Sequence, residues 1–275
     1  MKLLIKALIR DIVILTILGC RGTGMVTPSK IDLKLEPIDE WHSTEEITDI
    51  CADGKKILLL SSSGTRILAL DWQNRRVDTI PLNTRVIPPR GIASDRYYIY
   101  VYNDKTLYRL AKDNWTMVAW LNNIRVTGLA NYAPGEMLVS DKEREVIWRK
   151  TLFRESRTFL DRGDNITRPG AMALFPDGVF GVLVAPDFLV KVNRAGIVFN
   201  RCKVPQGIEM LVTDKNGQAF LMQRGKSVIW ILRDNTINGY ELPRTLNPIG
   251  IAIIEDQIAV LDSGTKIIFY SIPGR

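Results

Sequence analysis

The sequence holds one histidine, His42, and three cysteines, Cys20, Cys51 and Cys202, in 275 residues. One histidine cannot build a three-His zinc site, and three cysteines cannot build a four-Cys one. A small fold stapled by disulfides is excluded too. Any Ser-His-Asp or Cys-His mechanism would have to pass through His42. Long hydrophobic runs are also missing. The uncharged stretch near the start, Ile12 to Gly19, is eight residues long. A membrane-spanning helix needs roughly 20. There is no P-loop, no dinucleotide glycine pattern, no HExxH and no EF-hand loop. No basic-aromatic run points to nucleic acid, so none is expected as a partner. What remains is globular: 46% hydrophobic, 24% charged, net charge +7.

The chain begins MKLLIKALIRDIVILTILGC. Lys2, Lys6 and Arg10 precede the short apolar run, which has the length of a signal-peptide core. The run ends in Ile17-Leu18-Gly19-Cys20, which resembles the lipobox of bacterial lipoproteins. That resemblance implies cleavage after residue 19 and lipid attachment at Cys20. An uncleaved amphipathic helix fits the same spacing, because Lys2, Lys6 and Arg10 fall on one face. Both readings put the chain at a membrane. Removing residues 1–19 takes the net charge from +7 to +5. Residues 20–30 then read as a flexible tether. By the lipoprotein sorting pattern, Arg21 favours the periplasmic face of the outer membrane in a Gram-negative cell.

The rest of the chain repeats. A small-residue-plus-apolar motif recurs as Gly91-Ile92-Ala93, Gly128-Leu129-Ala130, Gly170-Ala171-Met172, Gly207-Ile208 and Gly250-Ile251-Ala252. Asp49-Ile50-Cys51-Ala52 is a copy without glycine. From Asp49 onward the markers are spaced 42, 37, 42, 37 and 43 residues apart. Each motif is followed by a turn, then a continuous apolar run such as Ile57–Leu60, Tyr98–Tyr102 or Ala219–Met222. Such runs suit strands buried on both faces. An alternating third segment and a more polar fourth complete most repeats. Four strands per repeat of about 40 residues describe a propeller blade. The sixth repeat stops after its third strand, and Ile31–Leu35 is a lone alternating segment at the front. The expectation is an all-β, six-bladed propeller over residues 31–275, with four-stranded antiparallel blades. This N-terminal strand would close the last blade and remove an open edge.

The repeat resembles the NHL class of six-bladed propellers. Pro169-Gly170, Asp177-Gly178, Val139-Ser140-Asp141 and Val260-Leu261-Asp262 fit that pattern; the acid that often follows the motif alanine is replaced by Ser94, Asn131 and Ile253. The resemblance specifies fold and says little about function. In such a ring, loops leading into strand one share a face with loops joining strands two and three. The first set carries Arg85, Arg90, Arg125, Arg168, Lys203 and Arg244; the second carries Asp104, Asp141, Lys142, Asp187, Arg224 and Asp262. One reading is an electropositive funnel for an anionic ligand or an acidic protein segment. The other is ordinary solvated loop charge. The acidic segment Glu36 to Asp49, with His42 inside it, reads as a connector. Cys51 and Cys202 fall in opposite blades and read as packing residues, not a disulfide. Trp72, Trp115, Trp120, Trp148 and Trp230 read as packing between blades.

The leading expectation is therefore a monomeric, lipid-tethered binding module for a protein, peptide or glycan partner, with no cofactor. The alternative comes from resemblance. Six-bladed propellers similar to this one include calcium-dependent lactonases and esterases. That would make Asp49, Asn131, Asp141 and Asp262 candidate Ca²⁺ ligands near the channel.

Overall fold

The second strand of each repeat is its most apolar stretch, and it lies deepest. Ile57, Leu58, Leu59 and Leu60 are buried, as are Phe220, Leu221 and Met222. Burying each such side chain contributes about 1.5–3 kcal/mol, and the six runs together organise the ring. The computed structural model describes residues 31–275 except 235, 244 and 245. The expected leader and tether, with Cys20, lie outside the described residues, and so does Arg244. Among the described residues no helix is long and apolar enough to cross a membrane.

The strands form six sheets, each built on four antiparallel blade strands. Blade one is Ile47–Asp53, Lys56–Ser61, Arg66–Asp71 and Arg76–Pro81; blade two is Gly91–Ser94, Tyr98–Tyr102, Thr106–Ala111 and Met117–Asn122. Blade three is Val126–Ala133, Glu136–Asp141, Val146–Lys150 and Arg157–Leu160; blade four is Met172–Leu174, Phe180–Val184, Phe188–Val192 and Val198–Lys203. Blade five is Met210–Thr213, Ala219–Met222, Val228–Arg233 and Thr236–Glu241. Blade six takes Pro248–Ile254, Gln257–Asp262 and Lys266–Ser271 from the end of the chain. Six-bladed propeller architecture is thus as expected.

An N-terminal strand closes the last blade, but it is not Ile31–Leu35. Pro37–His42 pairs antiparallel with Lys266–Ser271, with Trp41 opposite Ile267. Ile31–Lys34 instead adds a parallel fifth strand to Thr236–Glu241 of blade five. The acids of Pro37–His42 disguised it as a connector. An outermost strand needs little apolar surface, and it tolerates proline at its first position. Its acids are met by bases: Glu40 pairs with Lys266 at 2.5 Å, and Asp39 pairs with Arg75. Leu35, between the two strands, is buried among residues of blades five and six, including Leu242 and Ile272. Residues 31–42 therefore strap the ring shut across two blades.

Hydrophobic clusters straddle neighbouring blades. Tyr132 of blade three stacks on Phe180 of blade four, centroids 5.7 Å apart, with Phe159 edge-on to both. Trp72 of blade one stacks on Phe269 of blade six at 5.4 Å. Trp120, Trp148 and Trp230 pack against clusters in the same way, whereas Trp115 is exposed at a turn. Inner strands are also stitched by polar side chains. The Thr127 hydroxyl donates to the Pro169 carbonyl at 2.7 Å, and the Thr213 hydroxyl to the Leu174 carbonyl at 2.8 Å. Blades three and four come so close that a Cβ on Gly128 would collide with the Gly170 carbonyl oxygen. Cys51 and Cys202 are free thiols. Burial pushes both thiols up, which favours the packing role.

Candidate functional site at the channel mouth

The antiparallel order places the loops into strand one and the loops between strands two and three at one end of the ring. Side-chain bonds confirm the shared face. Arg90, just ahead of its first strand, grips Asp104 of the strand two-to-three loop with two bonds of 2.8 and 3.1 Å. Arg125 reaches Glu143 in the same way at 2.7 Å. The guanidinium of Arg90 holds the Asp104 carboxyl below its ordinary range. Arg85 donates to the Ser63 carbonyl at 3.2 Å. Of the five arginines in the loops leading into strand one, Arg90 and Arg125 are thus ion-paired and Arg85 is hydrogen-bonded to a carbonyl. Arg168 is exposed and has no ion-pair partner among the described residues.

Two hollows meet on this face. The central channel, about 460 Å³, is walled by all six inner strands. A second hollow of about 400 Å³ opens beside it over blades three to five. They share Thr127, Ala171, Glu209 and Arg224. The second hollow gathers Lys142, Arg168 and Arg224, none ion-paired among the described residues, against Asp187 and Glu209. Asp187 accepts the Gly207 N–H at 3.2 Å. Positive charge exceeds negative by one, so the mouth is mixed and mildly basic, not uniformly electropositive. Such a surface can hold a chain that carries both signs of charge.

Asp49 and Tyr102 face the channel. The Asp49 carboxylate accepts the Ile92 N–H at 3.0 Å, tying blade one to blade two. Desolvation at the wall pushes its pKa up to about 6, against the pull of backbone N–H groups at Ile92 and Ile50 and of the Arg224 guanidinium. Tyr102 is pushed well up by burial and by the Asp49 charge. Its phenol lies over Gly91, where any Cβ would strike the ring. The sequence reading missed Tyr102 and Glu209. Glu209 sits directly after the blade-five motif, where the loop position could have flagged it.

The four expected calcium ligands do not converge. Asn131 donates to the Ser94 carbonyl at 2.8 Å, and its buried Oδ1 has no partner among the described residues. Asp141 is buried and caps its own turn, accepting from the N–H groups of Glu143 and Arg144 and from the Arg144 guanidinium at 2.7 Å. Asp262 accepts the Asn247 N–H at 2.7 Å and the Ser263 hydroxyl. Among the described residues no three His, Cys, Asp or Glu side chains gather to hold a metal ion. Asp49 and Asn131 line the channel, whereas Asp141 and Asp262 do not, so the four do not meet as one ligand set. His42 lies on the outer closing strand, exposed, 3.3 Å from Glu40. It does not line either hollow.

No protein-family model matches this chain, and no curated protein does. Solved structures resemble it in fold. A gluconolactonase from Xanthomonas campestris superimposes with a TM-score of 0.66 at 13% identity, covering 92% of this chain and 99% of that one. Virginiamycin B lyase from Staphylococcus aureus, solved with quinupristin, gives 0.65 at 11% identity, covering 85% and 98%. A chain of the nidogen/laminin complex gives 0.65 at 14% identity, covering 76% and 85%. These likenesses define a six-bladed propeller. At such identities they carry the fold alone.

Proposed function

We propose that the protein is a binding module, tethered to a membrane through lipid on Cys20, that takes a protein, peptide or glycan partner across the channel mouth. The observation that supports this is the joined pair of hollows, with Lys142, Arg168 and Arg224 on their walls and without ion-pair partners among the described residues. A rigid ring that presents a broad, mixed-charge concavity suits recognition of an extended chain. Propellers of the same fold occur in complexes with protein and peptide partners, as the nidogen/laminin and D1-peptide structures are described. The test is affinity capture from native membranes with the wild-type chain and with Arg168→Glu combined with Arg224→Glu. The partner is expected to be lost from the double variant; retention at wild-type level refutes the mouth as its site. Cys20→Ala is expected to move the protein out of the membrane fraction.

A second reading, a hydrolase using the channel, rests on the perturbed carboxyl of Asp49 beside Tyr102 and Arg224. It would act on a small ester or lactone without the calcium set considered above. Ester hydrolysis by the wild type that disappears in Asp49→Asn would favour it over the binding module.

A further inference from the structure

The opposite face of the ring carries a different feature. There the turns between strands one and two meet those between strands three and four. Lys112 of one such turn bonds to Asp53 of another at 2.6 Å, and Gln73 bonds to Glu255 at 3.0 Å. Three neighbouring blades each present an apolar side chain to solvent on this face: Tyr97 at 50% exposure, Phe153 at 96% and Ile197 at 59%. Phe153 is the extreme case. It stands in the turn of blade three, Thr151-Leu-Phe-Arg-Glu-Ser-Arg157, beside a hollow of about 490 Å³.

Charge around Phe153 is mixed with a positive excess: Arg149, Arg154 and Arg157 line the hollow against Glu136 and Glu155. Arg149, which also lines the hollow, is committed to Glu136 at 2.7 Å. Arg154 and Arg157 line it with no ion-pair partner among the described residues. Lys150 donates to the Arg154 carbonyl at 2.9 Å. Glu155 is the one acid between residues 150 and 157. On the next blade Arg96 lies over the Tyr97 ring, 5.4 Å from its centroid. An aromatic tip exposed to water with two arginines beside it that have no ion-pair partner among the described residues is an apolar and cationic surface. It is matched by a surface that is apolar inside and anionic outside.

We propose that this face docks on an anionic phospholipid membrane, with Phe153 entering the interface and Arg154 and Arg157 meeting headgroup phosphates. Aromatic side chains favour the membrane–water boundary, and cations near it gain from anionic lipid. The mouth then points away from the bilayer, open to partners. The docking stands independently of any lipid on Cys20 and of what the mouth binds.

The test uses the full chain carrying Cys20→Ala, with an environment-sensitive NBD label at Phe153→Cys or, on the mouth face, at Lys105→Cys. Label carried by Cys51 or Cys202 is subtracted with the unsubstituted Cys20→Ala chain. Vesicles are phosphatidylcholine, alone or with one part in four of phosphatidylglycerol. The leader and tether are the same in every arm, so they cannot create a difference between the two positions. The label at 153 is expected to shift to the blue on anionic vesicles, and the label at 105 to stay unshifted. Arg154→Glu with Arg157→Glu is expected to weaken vesicle binding at least about tenfold, and added salt to weaken it as well. No shift at 153, an equal shift at both positions, or binding indifferent to the two arginines would overturn the proposal. So would a label at 153 that stays wet on vesicles but is buried by a protein partner.

Discussion

Replacing Asp49 by Asn should make the protein more stable at neutral pH and leave it unchanged in acid. Asp49 has a pKa of about 6 in the folded ring, raised from 3.8 chiefly by desolvation. Between these values the folded state holds a proton that the unfolded chain has lost. Stability is therefore greatest below about pH 4 as far as this group is concerned, and it falls as pH rises through 6. The full difference corresponds to about 3 kcal/mol, at about 1.4 kcal/mol per pH unit. Asp49 is only half-buried, and solvent screening reduces the expected effect to about 1–2 kcal/mol. Asn can still accept the Ile92 N–H, so the bond between blades survives. For a domain of this size the gain at pH 7.5 is a rise of roughly 2–8 °C in Tm. The assay is thermal unfolding of wild type and Asp49→Asn from pH 4 to 8. A Tm difference that does not grow between pH 4 and 7 would refute the reasoning, and so would a variant less stable throughout.

Other consequences follow from the same geometry. Arg275 bonds to buried Asp214 of blade five and, at 2.6 Å, to Asp256 of blade six. Arg275→Ala leaves buried Asp214 with only the Asn216 and Gln218 N–H groups as partners and should cost about 1–3 kcal/mol in denaturant unfolding, with Arg275→Lys recovering part of it. Deleting residues 1–34 should leave a folded ring by circular dichroism, because Ile31 and Leu33 are exposed. Deleting 1–42 removes the outer strand of blade six and should produce aggregation in size-exclusion chromatography. Gly128→Ala should lower Tm by several degrees, since the Gly170 carbonyl leaves no room for a Cβ. Calcium should leave Tm unchanged, in keeping with the scattered carboxylates.

The ring was legible because its period is written twice, in the glycine motifs and in the buried second strands. Tyr98–Tyr102 and Ala219–Met222 are strands over the very ranges the apolar runs mark. The closing strand was misplaced because hydrophobic alternation is a poor guide at an outer edge. Pro37–His42 is held by backbone pairing and ion pairs, while Ile31–Lys34, which alternates well, lies on the surface of blade five. The mouth was located from connectivity, but its charge was not. Arg90 and Arg125 read as free until Asp104 and Glu143, in the following loops of the same blades, are seen to meet them. Asp141 and Asp262 read as ligands for a similar reason. Asp141 spends its oxygens on the N–H groups of its own turn, and Asp262 on the Asn247 N–H of the neighbouring loop and the Ser263 hydroxyl; sequence does not tell such uses from metal binding.

The central claim is that partners bind at the channel mouth, and site-specific photo-crosslinking tests it most directly. A photoreactive residue would replace Lys142, in the second hollow, or Val77, exposed on the outer strand of blade one. In native membranes the probe at 142 is expected to capture a discrete partner and the probe at 77 to capture none. Capture at 77 with nothing at 142 would contradict the account.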